Sequence, residues 1–181
     1  MSHHQSVKSK IVLSKSSNFF LRKPDRLDFA YFKSLVTDPK AMSEQDGILS
    51  DEQTEEFLVF VMDHWKKHGF GHYGLTDGEQ SLGLFSLKYL KTNYGEAYDL
   101  GFVISEKFRG KGLAVDGSLA LLSFAFEELK LNKVTAMIKV GNTSAAVVLR
   151  KLGFSEIGPV VFEYLGKKFK NSILWELKNG A

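Results

Sequence analysis

The chain contains no cysteine and only three prolines among its 181 residues. The absence of cysteine excludes disulfides, thiolate metal sites and a cysteine nucleophile. With so little proline there is no Pro-rich linker, and neither an internal repeat nor a low-complexity segment interrupts the chain. No uninterrupted apolar stretch approaches the roughly 20 residues that cross a bilayer. Met1–Lys15 is polar and lacks the apolar centre of a signal peptide, so a cytoplasmic location is expected. A basic strip with interleaved aromatics, as nucleic-acid readers use, is also missing.

What the chain does have is ample material for a core. Hydrophobic residues make up 44%, aromatics 13% and charged residues 25%. These values suit one globular domain, expected over residues 16–181 behind a flexible basic tail at 1–15. The net charge of +3 is unevenly spread. Met1–Lys23 carries five basic residues and no acid, and Gly166–Ala181 carries four lysines and one glutamate, so the middle of the chain is net acidic. A basic tail can touch nucleic acid or ribosomes, or simply stay solvated.

Hydrophobic periodicity sets the expected elements. Asn18–Arg22 reads as a strand, and Asp25–Val36 as a helix with Leu27, Tyr31 and Leu35 at spacing four. Ser50 and Gln53 have capping-box spacing ahead of a helix that presents Phe57, Phe60, Val61, His64 and Trp65 on one face and stops at Gly69. Phe70–Leu75 and Leu82–Leu90 read as strands joined at Asp77-Gly78. Tyr98–Ile104 is a further strand. A helix follows from Gly112, with Val115, Leu119, Leu122, Phe126 and Leu129 as its apolar stripe. Val134–Val140 alternates as a strand, Ser144–Leu152 is a short helix capped by Gly153, and Val160–Leu165 and Phe169–Leu177 close the chain as strands. Helices that interrupt a mainly antiparallel sheet define an α+β class.

The chemistry concentrates in Asp99–Ala114, a strand, then a loop rich in glycine and base, then a long helix. The first N–H groups of a helix lack internal partners, and its dipole makes that end positive. Gly110 and Gly112 let the backbone approach a phosphate, and Lys107, Arg109 and Lys111 add charge, so the loop suits a diphosphate. It is not a nucleoside-triphosphate loop, because Gly110-Lys111 is followed by Gly112 rather than Ser or Thr. Nor does it fit Gly-x-Gly-x-x-Gly, since Gly110-x-Gly112 runs on to Val115. Asp99, a carboxylate ahead of the loop, could attract a cationic amine and accept its proton, or be a solvated strand-edge acid. Glu96 and His72 are lesser base candidates. His64, His68 and His72 share four-residue spacing, but Gly69 and Gly71 break the helix that would align them, so no metal is assigned.

Arg109-Gly110-Lys111-Gly112-Leu113-Ala114 resembles the acyl-CoA loop of the GNAT acetyltransferases, Gln/Arg-x-x-Gly-x-Gly/Ala. Asn142 followed by Lys151-Leu152-Gly153-Phe154 resembles the later Asn, helix, Lys-Leu-Gly-Phe segment of the same family. The resemblance runs from about Phe19 to Leu177. Within the family it is similar to the Rim-type group, on Phe20-Leu21-Arg22, Asp99-x-Gly101-Phe102 and Asp116. It implies a central, mostly antiparallel sheet of six to seven strands flanked by about four helices. It further implies an N-acetyltransferase with acetyl-CoA as cosubstrate, in which a primary amine (a protein N-terminus or a small molecule) attacks the thioester directly. Arg109, Gly110, Lys111, Gly112, Leu113 and Ala114 would hold the diphosphate, and Phe102, Val103 and Ile104 would pair with the pantetheine arm. An N–H at Val103 or Ile104 would meet the thioester oxygen. Asn142 and Lys151 complete the expected cofactor set, although Asn142 also suits a helix cap. A homodimer is common in this group.

Two positions depart from the pattern. Leu149 stands where many members have a tyrosine that protonates the leaving thiolate, and Ala145 where the Rim-type group often has serine. Solvent or the adjacent Ser144 would then have to serve. The acids of Glu44–Asp63 could form a negative rim favouring cationic acceptors, or only a solvated helix face. Competing readings are a non-catalytic, regulatory acyl-CoA-binding module and a ribosome- or RNA-associated factor that uses the basic tail.

Overall fold

A computed structural model describes residues 10–12, 18–25, 28–42 and 48–180. Its strands are β1 (Lys10–Val12), β2 (Phe20–Arg22), β3 (His72–Thr76), β4 (Ser81–Thr92), β5 (Gly95–Ile104), β6 (Lys133–Lys139), β7 (Ser155–Tyr164) and β8 (Lys167–Lys178). Its helices are α1 (Asp28–Val36), α2 (Asp51–His68), α3 (Leu113–Ser123) and α4 (Thr143–Lys151). The fold is α+β, as expected. The eighth strand is β1, which lies inside the segment expected to be a flexible tail. It pairs antiparallel with β2 and buries Ile11. Leu27 of the expected α1 stripe lies outside the described residues, and Phe32, with Leu35, fills the core instead.

Local chemistry fixes the element ends. Ser50 Oγ accepts the Gln53 N–H at 3.2 Å and Gln53 Oε1 accepts the Ser50 N–H at 3.0 Å, which closes the capping box of α2. Gly69 ends the helix in the left-handed region at φ 75°. The Asp77 carboxylate accepts the Glu79 and Gln80 N–H groups in the β3–β4 turn. Thr92 pairs with Gly95, so β4 and β5 are joined by a two-residue loop, Asn93-Tyr94.

The sheet order is β1-β2-β3-β4-β5-β6-β8-β7. Every pairing is antiparallel except β5 with β6. The sheet also curls back on itself, because β7 touches β4 at Thr92↔Phe162. The contact is reinforced from Asn93, whose Oδ1 accepts the Val161 N–H at 2.8 Å and whose N–H donates to the Val161 carbonyl at 3.0 Å.

Four of the five expected stripe residues meet the core: Leu122 is buried, and Val115, Phe126 and Leu129 pack partly buried against it. Leu119 is 51% exposed, whereas Leu113, Ala120, Leu121 and Leu122 are buried. The helix continues into a π-helical turn at Phe124–Glu128, and Phe124 and Ala125 are buried there too. Gly117 lies on the buried face, where a Cβ would stand 2.4 Å from Cζ of the fully buried Phe85. The absent side chain is what lets α3 lie flat on the sheet. Gly117→Ala is therefore expected to cost about 1–3 kcal/mol by overpacking, read as a lower urea midpoint with an unchanged slope.

His64 is a buried structural histidine. Its Nε2 accepts the Tyr89 N–H at 3.0 Å, so the proton sits on Nδ1, which donates to the Phe70 carbonyl at 2.8 Å. Both nitrogens thus serve the backbone rather than a metal. Burial pushes its pKa down to about 4, and burial also drives His72 well below the usual value. The folded pKa lies below the unfolded value of about 6.5, so the unfolded chain binds the proton more readily. The contribution is complete above about pH 6.5 and lost as pH falls to about 4. Denaturant midpoints should decline steadily across that window, and a flat profile would remove His64 and His72 from the account.

Candidate active site

The site begins where β5 and β6 part. The two parallel strands share the pair Asp99↔Thr135, supported by Thr135 Oγ1 donating to the Tyr98 carbonyl at 3.1 Å. One step further along β6, the Met137 N–H donates to Asp99 Oδ1 at 2.9 Å. A side-chain carboxylate thus takes the place that a β5 carbonyl would have in a continuing ladder. Asp99 Oδ2 lies 3.1 Å from Lys88 Nζ, and the carboxylate is only 4% exposed. Burial raises the Asp99 pKa, with Lys88 pulling in the opposite direction.

Strand alternation tells which amides face the gap. The Ser105 N–H bonds to the Leu82 carbonyl on the β4 side at 3.0 Å. Odd-numbered residues of β5 therefore direct their amides to β4, and Leu100, Phe102 and Ile104 direct theirs to the other side. Since β6 has diverged, the Phe102 and Ile104 amides look into the split. Of Val103 and Ile104, it is Ile104 whose N–H faces the gap.

Beyond β5, a 3-10 turn at Glu106–Phe108 leads to Gly110 (φ 75°) and Gly112 (φ 80°), and Gly112 caps α3. A Cβ built at Gly110 would have nothing within 4 Å, so the loop backbone is open to a ligand. A groove of about 340 Å³ runs from this loop to the fork. It contains every residue expected to hold the cofactor except Lys111, whose Nζ lies 5.3 Å over the Phe108 ring. The Arg109 side chain turns back onto the protein. Its Nε donates to the Ile104 carbonyl at 3.0 Å and its Nη2 to the Lys40 and Ala41 carbonyls at 3.3 and 3.4 Å. The guanidinium ties the connection after α1 to the loop.

Asn142 caps α4, with its Oδ1 accepting the Ala145 N–H at 2.9 Å. It also borders the groove, as does the exposed Ser144. The groove opens into an inner cavity of about 560 Å³, and the two share Phe102, Val103, Asn142 and Ala145. Ser144 does not line the inner cavity, whereas Ala145 and Leu149 do, because successive helical residues point about 100° apart. Glu96 is exposed, hydrogen-bonded to Tyr89, and lines neither space.

The inner cavity holds one residue that the sequence did not single out, Tyr164, and one that it did, His72. Tyr164 stands on the β7 wall with Lys88 Nζ 4.8 Å over its ring, and burial raises its phenol pKa so that it stays protonated. His72 borders the cavity with a buried Nδ1 that has no hydrogen-bond partner among the described residues. Of the two readings of the Glu44–Asp63 acids, the lining favours the solvated helix face over the negative rim. From α2 it takes Gln53 and Phe57, while Glu52, Glu55, Glu56 and Asp63 stand elsewhere on the helix. Asp51 pairs with Lys33 at 2.8 Å, and Glu44 and Asp46 lie outside the described residues. Lys88, Lys139, Lys167, Lys168 and Lys170 border the space, against Asp99 as the one acid among the described lining residues. The signal for this was the Lys167-Lys168-x-Lys170 run, which read as part of a basic chain end.

Comparison with known proteins agrees with this architecture. Residues 18–155 match the family model described as an acetyltransferase (GNAT) domain, and the chain belongs to that family. YdaF of Bacillus subtilis (strain 168), named as a candidate ribosomal N-acetyltransferase, is 37% identical over 85 residues. That match covers 47% of this chain and 46% of YdaF, so the chain spans under half of that relative's length. Among solved structures, spermidine N-acetyltransferase from Vibrio cholerae in complex with CoA and spermine superposes with a TM-score of 0.70 at 21% identity, covering 90% of this chain and 96% of the other. RimL, a ribosomal L7/L12 alpha-N-protein acetyltransferase in complex with CoA, superposes with a TM-score of 0.70 at 20% identity, covering 93% and 97%. At such identities these structures share the fold.

Gly112 tests the loop directly. Gly112→Asp places a β-carbon in the left-handed region and a negative charge at the start of α3. Acetyl-CoA binding, measured by calorimetry, should fall below detection. Gly95→Ala puts a side chain at φ 98° far from the groove, and should leave that affinity unchanged.

Proposed function

We propose that this chain is an acetyl-CoA-dependent N-acetyltransferase acting on a primary amine by direct attack. One observation carries the reading: the glycine loop and first turn of α3 open along β5 into a cavity, and the junction is the fork held by Asp99. Acetyl-CoA would supply an activated acetyl thioester. The backbone of Gly110–Ala114 suits its diphosphate, the outward amides of Phe102 and Ile104 suit its pantetheine arm, and the Ile104 N–H is placed for the thioester oxygen. The amine nitrogen bonds to the carbonyl carbon as the carbon–sulfur bond breaks. Asp99 receives the amine proton through water, and the Tyr164 phenol returns one to the departing thiolate. The two proton transfers balance without a covalent enzyme intermediate. Whether the acceptor is a protein N-terminus, as for RimL, or a small amine is a matter of the inner cavity's chemistry.

Asp99→Asn is the informative variant, because an amide Oδ1 can still accept the Met137 N–H. Turnover, read as thiol release, should fall about 100-fold or more, with acetyl-CoA affinity retained. The acidic limb of the kcat/KM profile should disappear with it. A variant that turns over at the parent rate would reduce Asp99 to a structural clamp.

A further inference from the structure

We propose that the acceptor is a peptide N-terminus followed by acidic residues, a substrate class that rests on the acetyltransferase reading above. The inner cavity is electrostatically two-ended. At its buried end, Asp99 and Lys88 form an ion pair and neutralise each other. Toward solvent the boundary is the β7–β8 hairpin, where Lys167, Lys168 and Lys170 are all exposed, with the half-buried Lys139 beside them on β6. Glu163 stands across the hairpin from Lys168 and offsets part of its charge. Lys167 and Lys170 have no such acid opposite them: Lys167 faces Tyr164 across the turn.

An acceptor entering this space must put its amine near Asp99 and the rest of itself against the lysines. A polyamine would set its second cation among like charges, which costs free energy in a cleft with low-dielectric walls. A peptide with carboxylates after its first residue would satisfy both ends. Its amine would reach the Asp99 end while its acids meet Lys167 and Lys170. Attraction at this range is felt within a screening length of about 8 Å at physiological salt, so it depends on ionic strength.

The test uses the full chain and three peptides with one common first residue. They are followed by acidic, neutral or lysine residues, and spermidine is included as the polycation. The acidic peptide is expected to exceed the lysine peptide by about tenfold or more in kcat/KM, the gap narrowing as salt rises. In K167E/K170E the order should reverse, while calorimetric acetyl-CoA binding reports that the fold is intact. Should the double reversal fail to fold, K167Q and K170Q singly should each narrow the gap. Preference for spermidine or the lysine peptide, equal rates, or an order unchanged in K167E/K170E would overturn the proposal. If acetyl-CoA binds and no acceptor turns over, the acetyltransferase reading itself fails. Titrating the acidic peptide into the CoA complex then decides recognition apart from transfer: binding abolished by K167E/K170E sustains the lysine wall as a site for acidic peptides, and no binding ends it.

Discussion

Everything at the site depends on two parallel strands that pair once and then separate. A sheet left open in this way exposes backbone donors and acceptors, and an unpaired amide in a protein interior is costly. The chain answers with a side chain. Asp99 takes the Met137 N–H on one strand and Lys88 from the neighbouring strand, so one carboxylate fixes the angle of the fork. A buried ion pair of this kind contributes little net stability, because removing both charges from water offsets most of their attraction. Its value here is geometric. It places the Phe102 and Ile104 amides beside empty space rather than beside another strand.

A second constraint turns that space into a chamber. If the sheet were flat, β7 would be an outer edge far from β4. Instead the Thr92↔Phe162 pair and the Asn93–Val161 hydrogen bonds bring it back across the fork. Tyr94 adds a hydrogen bond from its phenol to the Pro159 carbonyl at 3.1 Å. The consequence is that the β7–β8 hairpin, with its lysines, becomes a wall of the cavity. The curl also brings Tyr164, from a strand distant in sequence, to the Lys88–Asp99 pair of the β4–β5 hairpin.

The sequence made the local parts legible and the global ones not. The capping box at Ser50, the stop at Gly69 and the glycines of the loop are decided by neighbours within four residues, and each appears where its spacing implies. The fork is different. Nothing in Asp99-Leu100-Gly101-Phe102 says that β6 will leave after Thr135, so Asp99 could be nominated as a base but not as the clamp of the split. One position of the apolar stripe after the loop, Leu119, faces solvent for a similar reason. A periodicity count prefers Leu119 to Gly117, but close approach to Phe85 rewards the residue with no side chain. The acids of α2 left two readings open, a rim or a solvated face, because charge along a helix does not reveal which face meets a cavity. The lysines that do line it were read as an ordinary basic chain end until the hairpin was folded over the fork.

The lysine-rich wall also bears on the chemical step in the proposed reading. An amine attacks only as the neutral base, and most primary amines are protonated near neutral pH. A cavity with surplus positive charge disfavours the ammonium form and lowers the acceptor's pKa. Asp99 alone would do the opposite, stabilising the ammonium and holding it unreactive. With Lys88 at 3.1 Å, its charge is already balanced, and burial weakens its preference for the ionised form. The carboxylate is thereby left as a proton acceptor more than as an anchor for a cation. In the proposed reading, Lys167 and Lys170 would draw the acidic part of a substrate to the rim, while Lys88 at the buried end keeps Asp99 from holding the amine as an ammonium, so recognition and activation fall to separate lysines of one cavity.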